Sequence, residues 1–334
     1  MCVNRRQVLR GAAAVVGTAV GTAATGTAAG ASALGRTGGE AAEAAGADTS
    51  AAAFASGRNG VALRWLGVAG WELSLDGRRV LVDPYLSRLP VFDEAGAFIP
   101  DHPLEVRSDL LDRHLTERPD LVLATHGHYD HLMEIPHVVE RHGSRVIGTE
   151  THRHLLTAMG VPGDGVVVAS GGEHLDFHGF TVEVFRSLHS QFGSYGYFAP
   201  GTLTAPPRRP ATIGDLVEGG SLAYRVTARG FSVLFLSGTA NFVEREVAGL
   251  RPDVLVLGMS GHTNVYDYTA RVLRATRPKV LVPSHHDDMV TPLDDPALPA
   301  RGNPAAATEL ADTARRIGLA AKVLDSEILR WYEF

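Results

Sequence analysis

Thr125-His126-Gly127-His128-Tyr129-Asp130-His131 sets three imidazoles and one carboxylate within six residues. The apolar run Leu121-Val122-Leu123-Ala124 precedes it and reads as a buried strand, and Leu132-Met133-Glu134-Ile135 follows as the opening of a helix. In an extended segment alternate side chains share a side, so His126, His128 and Asp130 are expected to converge. His131, at the turn into a helix, is redirected to a neighbouring point. Imidazole nitrogen and carboxylate oxygen suit zinc, and also iron or manganese. The spacing accommodates two adjacent ions, one on His126 and His128 and one on Asp130 and His131. A polar loop with surface histidines is the alternative, and this density of ligand-type side chains argues against it. The end of a strand is also where α/β folds place their chemistry.

The stretch resembles the signature of the metallo-β-lactamase superfamily. That resemblance implies an α/β fold, a four-layer αββα sandwich with one or two metal ions at the edge of its sheets. Upstream, Val61–Gly67 reads as a strand, Trp71–Leu75 alternates, Asp76-Gly77 makes a hairpin turn, and Arg79–Pro84 holds the return strand. This W-L-G-x-A-G-W…L-V-D-P-Y pattern is similar to one branch, the L-ascorbate-6-phosphate lactonase-like proteins and the N-acyl phosphatidylethanolamine phospholipases. Many members carry His after the first Gly, where this chain has Val68. The branch implies that Asp83 lies near the metal site; a turn carboxylate before proline is the other reading.

Downstream, Phe180–Phe185 alternates as a strand and leads to His189. The resemblance implies that His189 is the third ligand of the first ion; a strand-end histidine bonded to backbone is the alternative. Pro283-Ser284-His285 matches the family's last ligand motif, with His286 the other choice and Asp287 or Asp288 available to orient a ligand. The superfamily often has S-G-D, with an ion-bridging Asp, where this chain has Ser237-Gly238-Thr239. A neutral hydroxyl lacks the carboxylate's charge. The second ion then binds weakly, is absent, or draws on another carboxylate such as Asp287; Asn241, a neutral amide, is a poor replacement. His262 lies in a strand-to-helix loop, where substrate hydrogen bonding, proton transfer and structural capping are all open. His137, His142, His152, His154, His174 and His178 have no second ligand at a telling spacing and read as surface or core residues.

The remaining pattern alternates strand and helix. Helices are expected at Ile135–His142 with Pro136 in the first turn, at Thr151–Met159, at Val265–Arg277 and at Pro304–Ile317. Strands are expected at Ser144–Gly148, Gly165–Ala169, Ser221–Ala228, Phe231–Leu236, Asp253–Gly258, Lys279–Pro283 and Ile328–Trp331. Two long excursions interrupt them, residues 85–119 and 192–220. The second follows His189 directly, and its aromatics among glycines, Phe192 to Phe198, suit a lid over the site. Arg208 or Arg209 is available to pair with an anionic substrate group.

The amino terminus carries Arg5-Arg6 ahead of a weakly hydrophobic Ala/Val/Gly/Thr run and an Ala31-Ser32-Ala33 cleavage pattern. Residues 1–33 resemble a twin-arginine export signal, which makes the export machinery a partner and the cell envelope or exterior the destination. Their removal takes away Arg5, Arg6 and Arg10 and no acid, moving the net charge from −6 to −9. Such a balance offers no general attraction to nucleic acid. The single cysteine, Cys2, lies in this segment, so neither a disulfide nor a thiolate ligand is expected in the mature chain. Residues 34–60 are an Ala/Gly-rich linker, and 61–334 form the hydrolase domain. The expected activity is metal-dependent hydrolysis of a small ester, lactone or phosphodiester. Asp130 orients the water and accepts its proton, and His285 binds the second ion or contacts the developing oxyanion. The alternatives are a lipid-headgroup phosphodiesterase touching membrane through the aromatic insertion, and a non-catalytic exported binding protein.

Overall fold

Val254-Leu255-Val256-Leu257 is apolar at every position, with no alternation to show which face it buries. The computed structural model, which describes residues 60–193, 195–298 and 302–334, supplies the reason. Val254 and Val256 point between two sheets, while Leu255 and Leu257 point outward beneath a helical layer. Both faces are covered, as parallel sheets require. The proposed signal and residues 34–59 of the linker lie outside the described residues.

The first sheet is built from β1 (Val61–Gly67), β2 (Gly70–Leu75), β3 (Arg78–Val82), β4 (Leu121–Leu123), β5 (Arg145–Gly148) and β6 (Val166–Val168). The second contains β7 (His174–Phe177), β8 (Phe180–Arg186), β9 (Leu222–Ala228), β10 (Phe231–Leu236), β11 (Val254–Gly258), β12 (Val280–Ser284) and β13 (Lys322–Val323). The last strand, β14 (Trp331–Glu333), returns to pair antiparallel with β1. The strand orders are β14-β1-β2-β3-β4-β5-β6 and β13-β12-β11-β10-β9-β8-β7. In each sheet antiparallel hairpins pass into parallel strands at the centre.

Parallel neighbours need crossovers, and these supply the helical layers. α1 (Ser108–His114), α2 (Tyr129–Leu132), α3 (Ile135–His142) and α4 (Glu150–Ala158) cover the first sheet, where Leu132, Ile135, Leu155 and Leu156 pack with Leu81, Val122 and Val146. α5 (Glu244–Val247), α6 (Tyr268–Thr276) and α7 (Ala305–Arg316) cover the second, where Leu273 and Leu310 meet Leu255 and Leu281. Between the sheets Trp71, Leu73 and Val82 face Tyr224, Phe235 and Val282. The result is the expected four-layer αββα sandwich.

The structure refines several boundaries. The helix expected from Val265 begins only at Tyr268, because residues 262–264 form a separate 3-10 turn. The strand expected near Ile328–Trp331 starts at Trp331, set by its register with β1. β7 is a four-residue alternation whose Leu175 and Phe177 pack against the core, and the two-residue β13 is too short to show a pattern and is held by its pairing with β12.

Candidate metal centre

The chain leaving β4 bends through residues 125–128, His128 itself having extended backbone angles, and α2 begins at Tyr129. That change of backbone sorts the motif into two sets. His126 and His128 lie on the loop before α2, joined by His189 from the loop after β8. Asp130 and His131 lie on the first helical turn, joined by His285 from the end of β12. Within each set the ligand-type atoms lie within 4.8 Å of one another. The sets are adjacent, with the His126 and His131 rings 3.8 Å apart. His126 Nε2 is 3.1 Å from His128 Nδ1. Asp130 Oδ2 is 3.1 Å from His131 Nε2 and 3.3 Å from His285 Nε2. The simple extended reading, with Asp130 on the side of His126 and His128, is corrected: the helix start turns its carboxylate to the second set.

Every one of these side chains is placed by the carboxyl end of a strand, and their supports come from the same rim. Asp83, at the end of β3, is fully buried and accepts from Thr125 N at 2.7 Å, from Thr125 Oγ1, and from His131 Nδ1 at 2.8 Å. With Nδ1–H so engaged, His131 presents Nε2 to Asp130. His189 Nδ1 donates to the Ser190 carbonyl at 2.8 Å, which leaves its Nε2 for the cluster. Outer partners of this kind fix ring orientation, so Asp83→Asn is expected to lower metal affinity roughly tenfold to a hundredfold. Competition with a chromophoric chelator measures it, and an unchanged affinity would remove Asp83 from the site.

Two glycines are demanded by close approach. A Cβ at Gly127 would collide with the Val217 carbonyl where residues 217–218 cross the motif, and Gly127 N donates to Glu218 O at 2.7 Å. A Cβ at Gly238 would collide with Thr125 Oγ1 and sit 3.2 Å from Asp83 Oδ2. The loop after β10 therefore presses directly on the Asp83–Thr125 pair. It also clamps the His189 segment. Thr239 Oγ1 donates to Leu188 O at 2.8 Å, Asn241 Nδ2 to His189 O at 3.1 Å, and Ala240 N to Ser190 Oγ at 2.7 Å. Thr239 and Asn241 thus act as backbone supports for His189.

Electrostatics separates the two sets. Burial pushes the His126 imidazolium well below its ordinary range, His128 to about 3 and His189 to about 4, and the neighbouring histidines add to this. All three are neutral at pH 7, with lone pairs available for a cation. Burial also resists charging of His131, yet the Asp130 and Asp83 carboxylates outweigh it and hold its pKa at about 10. Burial likewise opposes ionisation of Asp130, but His131, then His285, draw its carboxyl well below the usual range. Five imidazoles and a carboxylate, divided between two adjacent sets, fit divalent cations.

The sign of the pH dependence follows. In metal-free protein, the depressed histidines contribute stability above about pH 6.5 that is lost as pH falls toward 4 and 3. His131, raised from 6.5 to about 10, contributes stability that is complete below about pH 6.5 and lost as pH rises through 10. At pH 7 a cation must displace the His131 proton, while His126, His128 and His189 have none to lose. Uptake is expected to release about one proton per chain, read by titration calorimetry in buffers of different ionisation enthalpy. Uptake with no proton release would show that His131 is not engaged.

Other expected residues go elsewhere. His262 is not brought to the cluster: its Nδ1 lies 2.5 Å from Met259 O and its Nε2 2.9 Å from Glu309 Oε2. Nδ1 is engaged within the 259–264 loop and Nε2 ties that loop to α7, contacts that fit the structural role among those the sequence left open. His286 also faces away, stacked 4.6 Å from Trp65, which leaves His285 as the residue of that pair in the cluster. Asp287 is not a compensating carboxylate. It accepts from Val68 N at 3.2 and 3.1 Å and from Arg88 Nη1 at 2.7 Å. Val68 O in turn accepts from His285 N at 2.8 Å, so Val68 serves the site through its backbone.

Two supports were missed in the sequence, Arg88 and Glu134. Arg88 is buried, pairs with Asp287 and Asp288, and donates to Thr291 O. Glu134 is buried and accepts from Leu86 N and Ser87 N at 2.7–2.9 Å, pinning the start of the first excursion. Charge alone could not have marked them, since their partners lie 47 to 203 positions away.

A model of the beta-lactamase superfamily domain matches residues 62–285. The chain belongs to this superfamily. Among curated relatives, a UPF0173 metal-dependent hydrolase from Methanopyrus kandleri is 26% identical over 228 residues, covering 67% of this chain and 83% of its own. A UPF0173 metal-dependent hydrolase from Sulfurisphaera tokodaii is 23% identical over 231 residues, covering 67% and 84%. Among solved structures, a metallo hydrolase from Ignicoccus hospitalis superposes with a TM-score of 0.52 at 20% identity, covering 82% of this chain and 99% of that one. The last likeness speaks for the superfamily fold alone.

Proposed function

We propose that this metal-dependent hydrolase acts on a small ester, lactone or phosphodiester. The observation that carries the reading is the pair of adjacent three-residue sets, buried except for the half-buried His189, at the carboxyl rim of both sheets. His126, His128 and His189 would hold one cation, and Asp130, His131 and His285 a second. A divalent ion in such a site lowers the pKa of water toward neutrality and polarises a carbonyl or phosphoryl oxygen. Asp130, ionised between His131 and His285, is the group to orient the water and take up its proton. Asp83 keeps the His131 ring in one tautomer, and the Thr239–Asn241 clamp keeps the His189 backbone in place. Burial excludes bulk water and strengthens these interactions. Zinc is the first ion to try, then manganese and iron.

The test is a panel of esters, lactones and phosphodiesters, assayed with native, chelated and reconstituted protein alongside metal content per chain. Hydrolysis that disappears on chelation and returns on reconstitution is expected. A protein that holds metal and turns over nothing in the panel overturns the reading. The amino-terminal pattern supports an exported enzyme, for which sequencing of the secreted product should begin after Ala33.

A further inference from the structure

A row of aromatic rings runs from solvent to the candidate ligands. Tyr197 stacks on His189, with centroids 4.5 Å apart and planes at 27°. Phe198 lies 5.5 Å from the His128 ring. Phe98 meets Phe198 edge-on at 4.9 Å and 81°. Phe92 meets Phe98 at 5.8 Å, and the two are cross-strand partners in a small hairpin of the first excursion. The inner rings are partly covered, whereas Phe92 and Phe98 are 39% and 38% exposed. Two excursions far apart in sequence meet through these rings and through backbone hydrogen bonds, Leu104 N to Ala211 O at 3.0 Å and Ile213 N to His102 O at 2.9 Å, with the inner rings beside the first histidine set. Phe198 packs at the edge of the core, whereas Phe92 and Phe98 keep exposed faces that an apolar ligand group beside the histidine set would cover.

The row itself carries no charged side chain, and the charge that acts on its inner end is the buried Glu218 carboxylate, within electrostatic reach of Tyr197. The cation–π contacts among the described residues fall on Trp331, Phe242 and Tyr332, none of them in this row. Arg209, a sequence candidate for an anionic group, lines a separate cavity of about 910 Å³ with Met159, Pro162 and Glu140. Arg88 is fully engaged by Asp287 and Asp288. From this we infer that Phe92, Phe98, Phe198 and Tyr197 form a subsite for the apolar acyl or aryl group of a carboxylic ester, next to the bond that is cleaved. The inference rests on the hydrolase reading above and narrows it from esters, lactones and phosphodiesters to esters with an apolar group.

The test is an acyl-chain series of p-nitrophenyl esters, acetyl to hexanoyl and phenylacetyl, with the metal-loaded native protein. kcat/KM is expected to rise about tenfold or more from acetyl to hexanoyl, since each buried methylene adds up to about fourfold. Phe98→Ala and Phe198→Ala should bring the hexanoyl-to-acetyl ratio toward one. Calorimetry with hexanoate and acetate provides a readout independent of turnover, and hexanoate should bind the more tightly. Hydrolysis without chain-length preference overturns the subsite and leaves the hydrolase reading intact. Hexanoate preference without turnover of any ester supports the subsite while the hydrolase reading fails. Binding to phosphatidylcholine–phosphatidylglycerol vesicles that is lost in Phe92→Ala, with no chain-length preference, would make the row a membrane contact and also overturn the proposal.

Discussion

His128→Ala is expected to empty the first histidine set and abolish turnover. The variant leaves only His126 and His189, one donor short of the three protein ligands a catalytic zinc site uses. Loss of an outer-sphere partner alone costs roughly tenfold to a hundredfold in affinity, so loss of a direct donor should exceed that. Metal per chain after dialysis against weak chelator, measured beside hydrolysis, checks it. His262→Ala is the matched control. Its ring is tied to Met259 O and Glu309, so the variant should lose some thermal stability and keep its metal. Normal metal and normal turnover in His128→Ala would sink the site; metal loss in His262→Ala would return that residue to it.

Arg88→Ala is expected to cause the largest loss of stability. The guanidinium is buried, and its partner Asp287 is buried with it. Removing the cation strands a buried carboxylate with only the Val68 N–H to accept from. Breaking such a pair costs about 3–5 kcal/mol, and for a domain of this size the melting temperature should fall roughly 10 °C. The effect should reach the site, because Val68 also receives the His285 N–H and Asp287 lies two residues beyond that histidine. The Arg88→Met, Asp287→Leu double variant should recover much of the loss, since replacing both members of a buried pair is often neutral. Scanning calorimetry of the metal-free protein decides it. A single variant that melts within about 1 °C of the native chain would show that the pair is not a brace.

These two residues mark the limits of reading the sequence. His128 announces itself because its motif is local: four ligand-type side chains fall within six positions, on a strand end whose backbone course is set by neighbours in the chain. The Asp76-Gly77 hairpin, the Pro136 helix start and the alternation of Phe180–Phe185 are legible for the same reason. Arg88 resembles any surface arginine, because its partner lies 199 residues away. Thr239 was read as a lost carboxylate, and the structure adds its bond to Leu188 O, a contact made only when the loops after β8 and β10 lie side by side. His262 stood in a loop suited to catalysis, and a carboxylate on α7 claims it instead.

By itself, the sequence determined the α/β class, the core of the ligand motif and the presence of two aromatic or apolar excursions, all properties of short-range spacing and periodicity. Only the tertiary structure decided the rest. The family resemblance pointed to His189, His285 and Asp83, and the structure shows how they arrive: it sets His189 beside His126 and His128, joins His285 to Asp130 and His131, gives Asp83 the His131 Nδ1, and lays Phe98 against Phe198. These depend on strand order and on the close approach of loops at one rim, where Gly127 and Gly238 leave room that any side chain would fill. Packing free energy, summed over both sheets, selects that arrangement, and no single stretch of the chain contains it.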